Sequence, residues 1–146
     1  MKYIIIILLI IPCLVFAQSA AEVREVELSK VSRGYEEHIR ITPDSLHVFT
    51  ENRMGEKAVK DFSKKMSEKE WTRLVEIIRI RPVKELHDLP SPTMKRAHDA
   101  AMHSTITIHL ADGTSVTHGY DDENPHSAFV PLLKEIRTLS SVPGKP

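Results

Sequence analysis

Two stretches of the chain alternate apolar and polar residues with period two, and each is followed by an apolar stripe of helical period. In the first, Ile39 and Ile41 alternate with His38 and Arg40, and Leu46 and Val48 alternate with His47 and Phe49. Thr42-Pro43-Asp44-Ser45 between them reads as a turn, because proline presets φ and aspartate bonds its own backbone. A four-residue loop pairs Ile41 with Leu46 and Ile39 with Val48, which puts all four on one buried face. A helix over 68–80 follows. Ser67 and Glu70 form a capping box, Met66 and Trp71 stand at the positions of a hydrophobic staple, and Trp71, Leu74, Val75 and Ile78 make one stripe. Pro82 ends it by pushing its neighbour out of the helical region.

The second stretch, Ser104 to Leu110, places Ile106, Ile108 and Leu110 on one side and His103, Thr105, Thr107 and His109 on the other. Asp112-Gly113 signals the turn. A three-residue loop with Gly113 in the left-handed position pairs Ile108 with Val116, Ile106 with His118, Ser104 with Tyr120 and His103 with Asp121. The closing helix carries Leu132, Leu133, Ile136 and Leu139, with Pro131 near its first turn. Before the first hairpin, Val26 to Val31 reads as one further strand. Residues 51–65 read as a charged loop with a helical turn around Val59 and Phe62. For the connection 82–102, a short helix from 92 to about 101 and an ordered loop fit equally. The expected architecture is a two-layer α+β domain in ββα-ββα order, an antiparallel sheet of four to five strands with two main helices on one face.

The N-terminus changes the picture of where the domain works. Met1-Lys2 precede an apolar run from Tyr3 to Phe16, and Val15-Phe16-Ala17 offers small residues at −3 and −1. Residues 1–17 therefore read as a signal peptide cut before Gln18, with a second choice after Ala21. The run is shorter than a spanning helix and broken by Pro12, which argues against a retained anchor. Pro12 before Cys13 also argues against lipidation. The expected product is an exported protein, periplasmic or secreted, with no transmembrane segment after cleavage. It is a single domain over 18–146 with an ordered core of about 26–140.

Within the connection, Leu89-Pro90-Ser91-Pro92-Thr93-Met94-Lys95-Arg96-Ala97-His98-Asp99-Ala100-Ala101, followed by a Thr-rich hairpin and Asn124-Pro125, resembles a pattern in small exported bacterial proteins. The resemblance covers roughly residues 28–137. It implies export and a two-layer fold, and it implies no activity.

Charge and motif chemistry narrow the function further. Cleavage removes Lys2 and the single cysteine, leaving 19 basic and 20 acidic residues among 129. Such a near-neutral chain does not point to nucleic acid or an anionic membrane, and a domain without disulfides is held by its core. No Gly-x-Ser-x-Gly, no Ser-x-x-Lys in a catalytic setting and no glycine-rich phosphate loop is present. The acidic turn Asp121-Asp122-Glu123-Asn124 lacks the glycine and the terminal glutamate of a calcium loop.

Eight histidines are the one compositional oddity. His98 and His103 are five apart, which is the wrong spacing for one helix face. The hairpin register nevertheless brings His103 beside Asp121, so His98, His103 and Asp121 are weak candidates for a divalent metal. No cofactor is predicted, and a divalent metal is the alternative. The polar linker residues Thr93, Lys95, Arg96, His98 and Asp99 are the expected ligand- or partner-binding surface, since long connections often carry function. Phe49 with His38 and His47 is a second patch. The expectation is a non-enzymatic binding module for an envelope or extracellular protein or a small ligand, with a metal-binding protein as the alternative.

Overall fold

The period-two alternation extends further along the chain than the two hairpins alone. The computed structural model describes residues 22–54, 58–93 and 101–141. Six strands form one antiparallel sheet: β1 (Val23–Ser32), β2 (Tyr35–Ile41), β3 (Ser45–Asn52), β4 (Ala58–Lys65), β5 (His103–Leu110) and β6 (Ser115–Asp121), in spatial order β4-β3-β2-β1-β5-β6. Helix α1 (Glu68–Arg79) follows β4, and α2 (Val130–Ser140) follows β6. Short 3-10 turns occupy Val83–Leu86 and Ser127–Phe129.

The chain is α+β, but the expected ββα-ββα order with four to five strands is wrong. Four strands precede the first helix. The strand missed outright is β4, in place of the charged loop or helical turn expected over 51–65. It is the sheet's outer edge, so only one neighbour shields it. Phe62 and Lys64 are its only half-buried residues, which erases the alternation that marks a half-buried strand. Its backbone pairs with β3 from Ser45↔Lys65 to Asn52↔Ala58. Lysines on an exposed edge also discourage pairing with other chains. The first strand is longer than expected, because a register shift between Val23 and Glu25 breaks the alternation at its start. Val23 and Val26 are both buried despite their odd spacing.

The hairpin registers follow the burial argument. Ile41 faces Leu46 and Ile39 faces Val48. Ile108 faces Val116, Ile106 faces His118, and Ser104 faces Tyr120. Gly113, at φ +85°, closes the second turn by donating its N–H to the Leu110 carbonyl at 3.1 Å. The helix start is also as the sequence implies. The Ser67 N–H donates to Glu70 Oε2 at 2.8 Å, and the Glu70 N–H donates to Ser67 Oγ at 3.3 Å. The α1 helix then runs to Arg79, three residues before Pro82.

One face of the sheet supplies Val26, Leu28, Ile39, Ile41, Leu46, Val48, Ile106, Ile108 and Leu110 to a core completed by Leu74, Val75 and Ile78 of α1 and Leu132, Leu133, Ile136 and Leu139 of α2. Each such side chain contributes about 1.5–3 kcal/mol by leaving water. Arg73 Nε and Glu135 Oε2, 3.1 Å apart, tie the two helices together. The segment after α1 lies against the β6 edge, where His87 Nδ1 donates to the Thr117 carbonyl at 3.3 Å. The other sheet face carries His38, Arg40, His47, Phe49, Thr105, Thr107 and Thr117, half-buried or exposed.

The expected signal peptide, and most of the expected helix from 92 to about 101, lie outside the described residues. Among those described, no helix is long and apolar enough to cross a membrane.

Candidate functional site

Strand alternation does not stop where hydrophobicity does. In β1 the core face runs Val26, Leu28, Lys30, so the strand carries a cation into the layer beneath the helices, where Lys30 is 1% exposed. A buried ammonium is costly unless it is paired. Two carboxylates approach it from different elements. Glu37, on the neighbouring β2, places Oε2 3.7 Å from Lys30 Nζ. Glu123, in the turn after β6, accepts a hydrogen bond directly from Lys30 Nζ.

Glu123 is shared. Arg137 of α2 donates from Nη2 to both of its oxygens, at 2.8 and 2.7 Å. Burial works to raise the Glu123 pKa, but the hydrogen bonds from Lys30 and Arg137 outweigh it and hold the carboxyl below its usual range. Burial likewise opposes charge on Arg137, and Glu123 more than restores it. Two tyrosines line the same end of the sheet. Burial pushes the Tyr120 phenol up to about 12, opposed by Ser104 across the strand pair. Burial and then Glu37 raise that of Tyr35. Both remain neutral phenols at physiological pH.

The turn that presents Glu123 is itself fixed. Asp122 has φ +52°, a left-handed conformation that aspartate tolerates better than most residues. Its carboxylate accepts from the Met102 N–H at 3.1 Å, its own N–H donates to the Met102 carbonyl at 2.7 Å, and its carbonyl accepts from Ser104 Oγ at 3.0 Å. Asp121, fully buried, accepts from Thr93 Oγ1 at 2.7 Å. The backbone of the turn is therefore anchored to β5 and to the linker, whereas the Glu123 side chain remains 59% exposed.

An open groove of about 590 Å³ is lined by Glu123, Pro125, Val130, Leu133, Arg137 and Thr138. Val130, on its wall, is half exposed.

The sequence-derived candidates fare unevenly. Thr93 is present as the tie to Asp121, which places the linker's start beside the Glu123 turn. Lys95, Arg96, His98 and Asp99 lie outside the described residues. His103 and Asp121 are register partners, as the hairpin pairing implies, and His98 lies outside the described residues. Asp121 is buried against Thr93, whereas His103 is exposed, with Nε2 3.4 Å from Thr105 Oγ1. Among the described residues, donor atoms gather closely at Glu25, Glu27 and His109 on the outer face, within 4.8 Å of one another. His109 Nε2 is 3.3 Å from Glu27 Oε2, and Arg40 Nη2 donates to Glu25 Oε2 at 2.7 Å. The hydrogen bond from Arg40 is the main cause that holds the Glu25 pKa down.

The Phe49 patch exists as a loose His38–Phe49 stack, with ring centroids 6.5 Å apart. Its histidines are engaged with carboxylates, His38 with Glu36 and His47 with Asp61. His118 is buried and stacked on Phe129 with centroids 4.5 Å apart. Sequence reasoning passes over Lys30 and Arg137, and it meets Glu123 only within the acidic turn set aside as a calcium loop. The signal for Lys30 was available in the alternation Val26, Leu28, Lys30, read one step past the last apolar residue. No signal in the sequence joins Glu123 and Arg137 to it, because that contact depends on how α2 crosses the sheet.

No protein-family model and no curated protein matches the sequence, which leaves the arrangement of its own side chains as the guide to what it does.

Proposed function

We propose that this chain is an exported, non-enzymatic binding module whose site is the polar end of the sheet, where the α2 groove meets Glu123 and Arg137 and, through Glu123, the buried Lys30. The observation that carries the reading is the source of Lys30's counter-charge. A lysine 1% exposed draws a carboxylate from a turn residue that is 59% exposed and stands at the mouth of an open groove. Such an arrangement joins a fixed buried charge to a surface that a partner can reach. Tyr35 and Tyr120, whose phenols burial pushes up, stay protonated near neutral pH and add hydrogen-bonding polarity to that end of the sheet. Export rests on the N-terminal pattern, and the place of action is the periplasm or the extracellular space.

Native mass spectrometry of protein purified from its own envelope fraction tests this reading. The expected species begins at Gln18 and carries a non-covalent adduct that Val130→Glu removes and His38→Ala does not. An unprocessed N-terminus would overturn export. An adduct indifferent to Val130→Glu would move the site elsewhere.

A second reading, divalent-metal binding, is favoured by Glu25, Glu27 and His109 on the outer face. Two carboxylates and an imidazole suit a zinc-like ion. In that reading Arg40 competes with the ion for Glu25, so Arg40→Ala should strengthen zinc binding in calorimetry and His109→Ala should abolish it. Unchanged binding in both variants would exclude this trio.

A further inference from the structure

We propose that Lys30 and Arg137 form a receptor for an aliphatic carboxylate, and that Glu123 occupies this receptor as an internal stand-in until a ligand displaces it. The inference rests on the binding reading above and gives it a ligand class.

The first support is that the receptor is built and already filled by the right chemistry. Lys30 and Arg137 come from different elements, β1 and α2, and converge on one carboxylate. Charge-assisted bonds of this kind favour a planar anion that two donors reach at once. The anion that fills the position belongs to the most exposed member of the network. The ties of the turn fall on Asp121 and Asp122 and not on the Glu123 side chain. Rotation of that one side chain empties the position without disturbing β6.

Charge and shape then choose the ligand. With Glu123 withdrawn, Lys30, Arg137 and Glu37 sum to one positive charge. A single carboxylate neutralises it, whereas a phosphate dianion overshoots. The groove that Glu123 and Arg137 line is also lined by Pro125, Val130 and Leu133, which suit an apolar body attached to that carboxylate. Lys134, Thr138 and Ser141 complete its lining. The arrangement therefore matches an amphiphile with a carboxylate head and a hydrocarbon tail. A resident competitor lowers apparent affinity by the fraction of molecules in which it is bound. If Glu123 holds the pair in nine molecules of ten, its removal tightens binding by about tenfold.

The test is isothermal titration of octanoate into the protein, prepared from the full chain, and into E123A, with octanol, acetate and inorganic phosphate as comparison probes. E123Q, which keeps the shape of the side chain, replaces E123A if circular dichroism shows that the alanine variant has lost its fold. The expected result is weak octanoate binding to the native protein, binding at least about tenfold tighter to the variant, and loss of that gain in E123A/R137A. Acetate, octanol and phosphate should each bind more weakly than octanoate. Equal octanoate affinity with and without Glu123 would overturn the stand-in. Phosphate binding more tightly than octanoate would overturn the ligand class. No octanoate binding to any form would overturn the receptor itself. The last three outcomes leave the binding reading standing, because the Val130→Glu comparison judges that reading independently.

Discussion

Removing Glu123 should destabilise the fold, and removing Lys30 with it should undo much of the damage. Glu123→Ala leaves Lys30, 1% exposed, with only Glu37 at 3.7 Å among the contacts described. Breaking a fully buried ion pair by deleting one partner costs about 3–5 kcal/mol. Here water reaches the Glu123 side, since that side chain is 59% exposed, and Glu37 keeps part of the compensation. The expected loss is therefore about 1–2 kcal/mol. For a domain of this size that lowers the melting temperature by roughly 3–10 °C. Lys30→Met fills the same space without a charge, so the double variant removes the stranded ammonium. Equilibrium urea unfolding, followed by far-UV circular dichroism on the two single variants and the double, gives the coupling. The expected interaction energy is about 1–2 kcal/mol in favour of the double variant. Additivity within about 0.5 kcal/mol, or a Glu123→Ala protein as stable as the native one, would refute the claim that Lys30 depends on Glu123.

Other expectations follow from the same contacts. The Glu70 carboxyl is lowered from 4.5 to about 2, chiefly by the Ser67 N–H, then by the Ser67 hydroxyl and Lys64. Its folded value lies below its unfolded one, so the stability it adds is present above about pH 4.5 and fades as pH falls toward 2. Glu70→Gln should flatten that part of the acid-unfolding curve, and an unchanged curve would contradict the capping-box assignment. Ser67→Ala should cost about 1 kcal/mol in urea unfolding. Gly113→Ala has space for its methyl group but must keep φ at +85°, so thermal melts should show a loss of about 1–2 kcal/mol from backbone strain alone. Ile106→Ala, at a site with no exposure, should cost about 2–5 kcal/mol, and a smaller loss would mean that the core collapses readily around it.

Where one face of the sheet is buried and the other is not, the sequence displays the structure. Both hairpin registers could be deduced by asking which loop length gathers Ile39, Ile41, Leu46 and Val48, or Ile106, Ile108 and Val116, on one side. The capping box at Ser67 was equally legible because its signal is local. Strand β4 was not, because an edge strand held by backbone bonds to one neighbour needs no apolar alternation. Its Lys60, Asp61, Lys64 and Lys65 read as solvated loop. The start of β1 was hidden by the register shift between Val23 and Glu25.

The candidate site shows the same divide. A lysine continuing the buried face of β1 is visible in the sequence. Its partners come from 7 and 93 positions away, and from α2 beyond them, and only the packed fold assembles them. The metal alternative divides in the same way. His103 and Asp121 are register partners as expected, and Thr93 also donates to Asp121. The carboxylates that do gather around an imidazole, Glu25 and Glu27 near His109, lie on strands whose pairing the sequence did not reveal.

The central claim, that partners engage the groove at the polar end of the sheet, is tested most directly by photo-crosslinking inside the cell. A photoreactive residue is placed at position 130, on the groove wall, and in a second strain at position 107, on the opposite sheet face. The account predicts an adduct of defined mass from position 130 and none from position 107. An adduct from position 107 alone would put the working surface on the other face of the sheet and contradict the assignment.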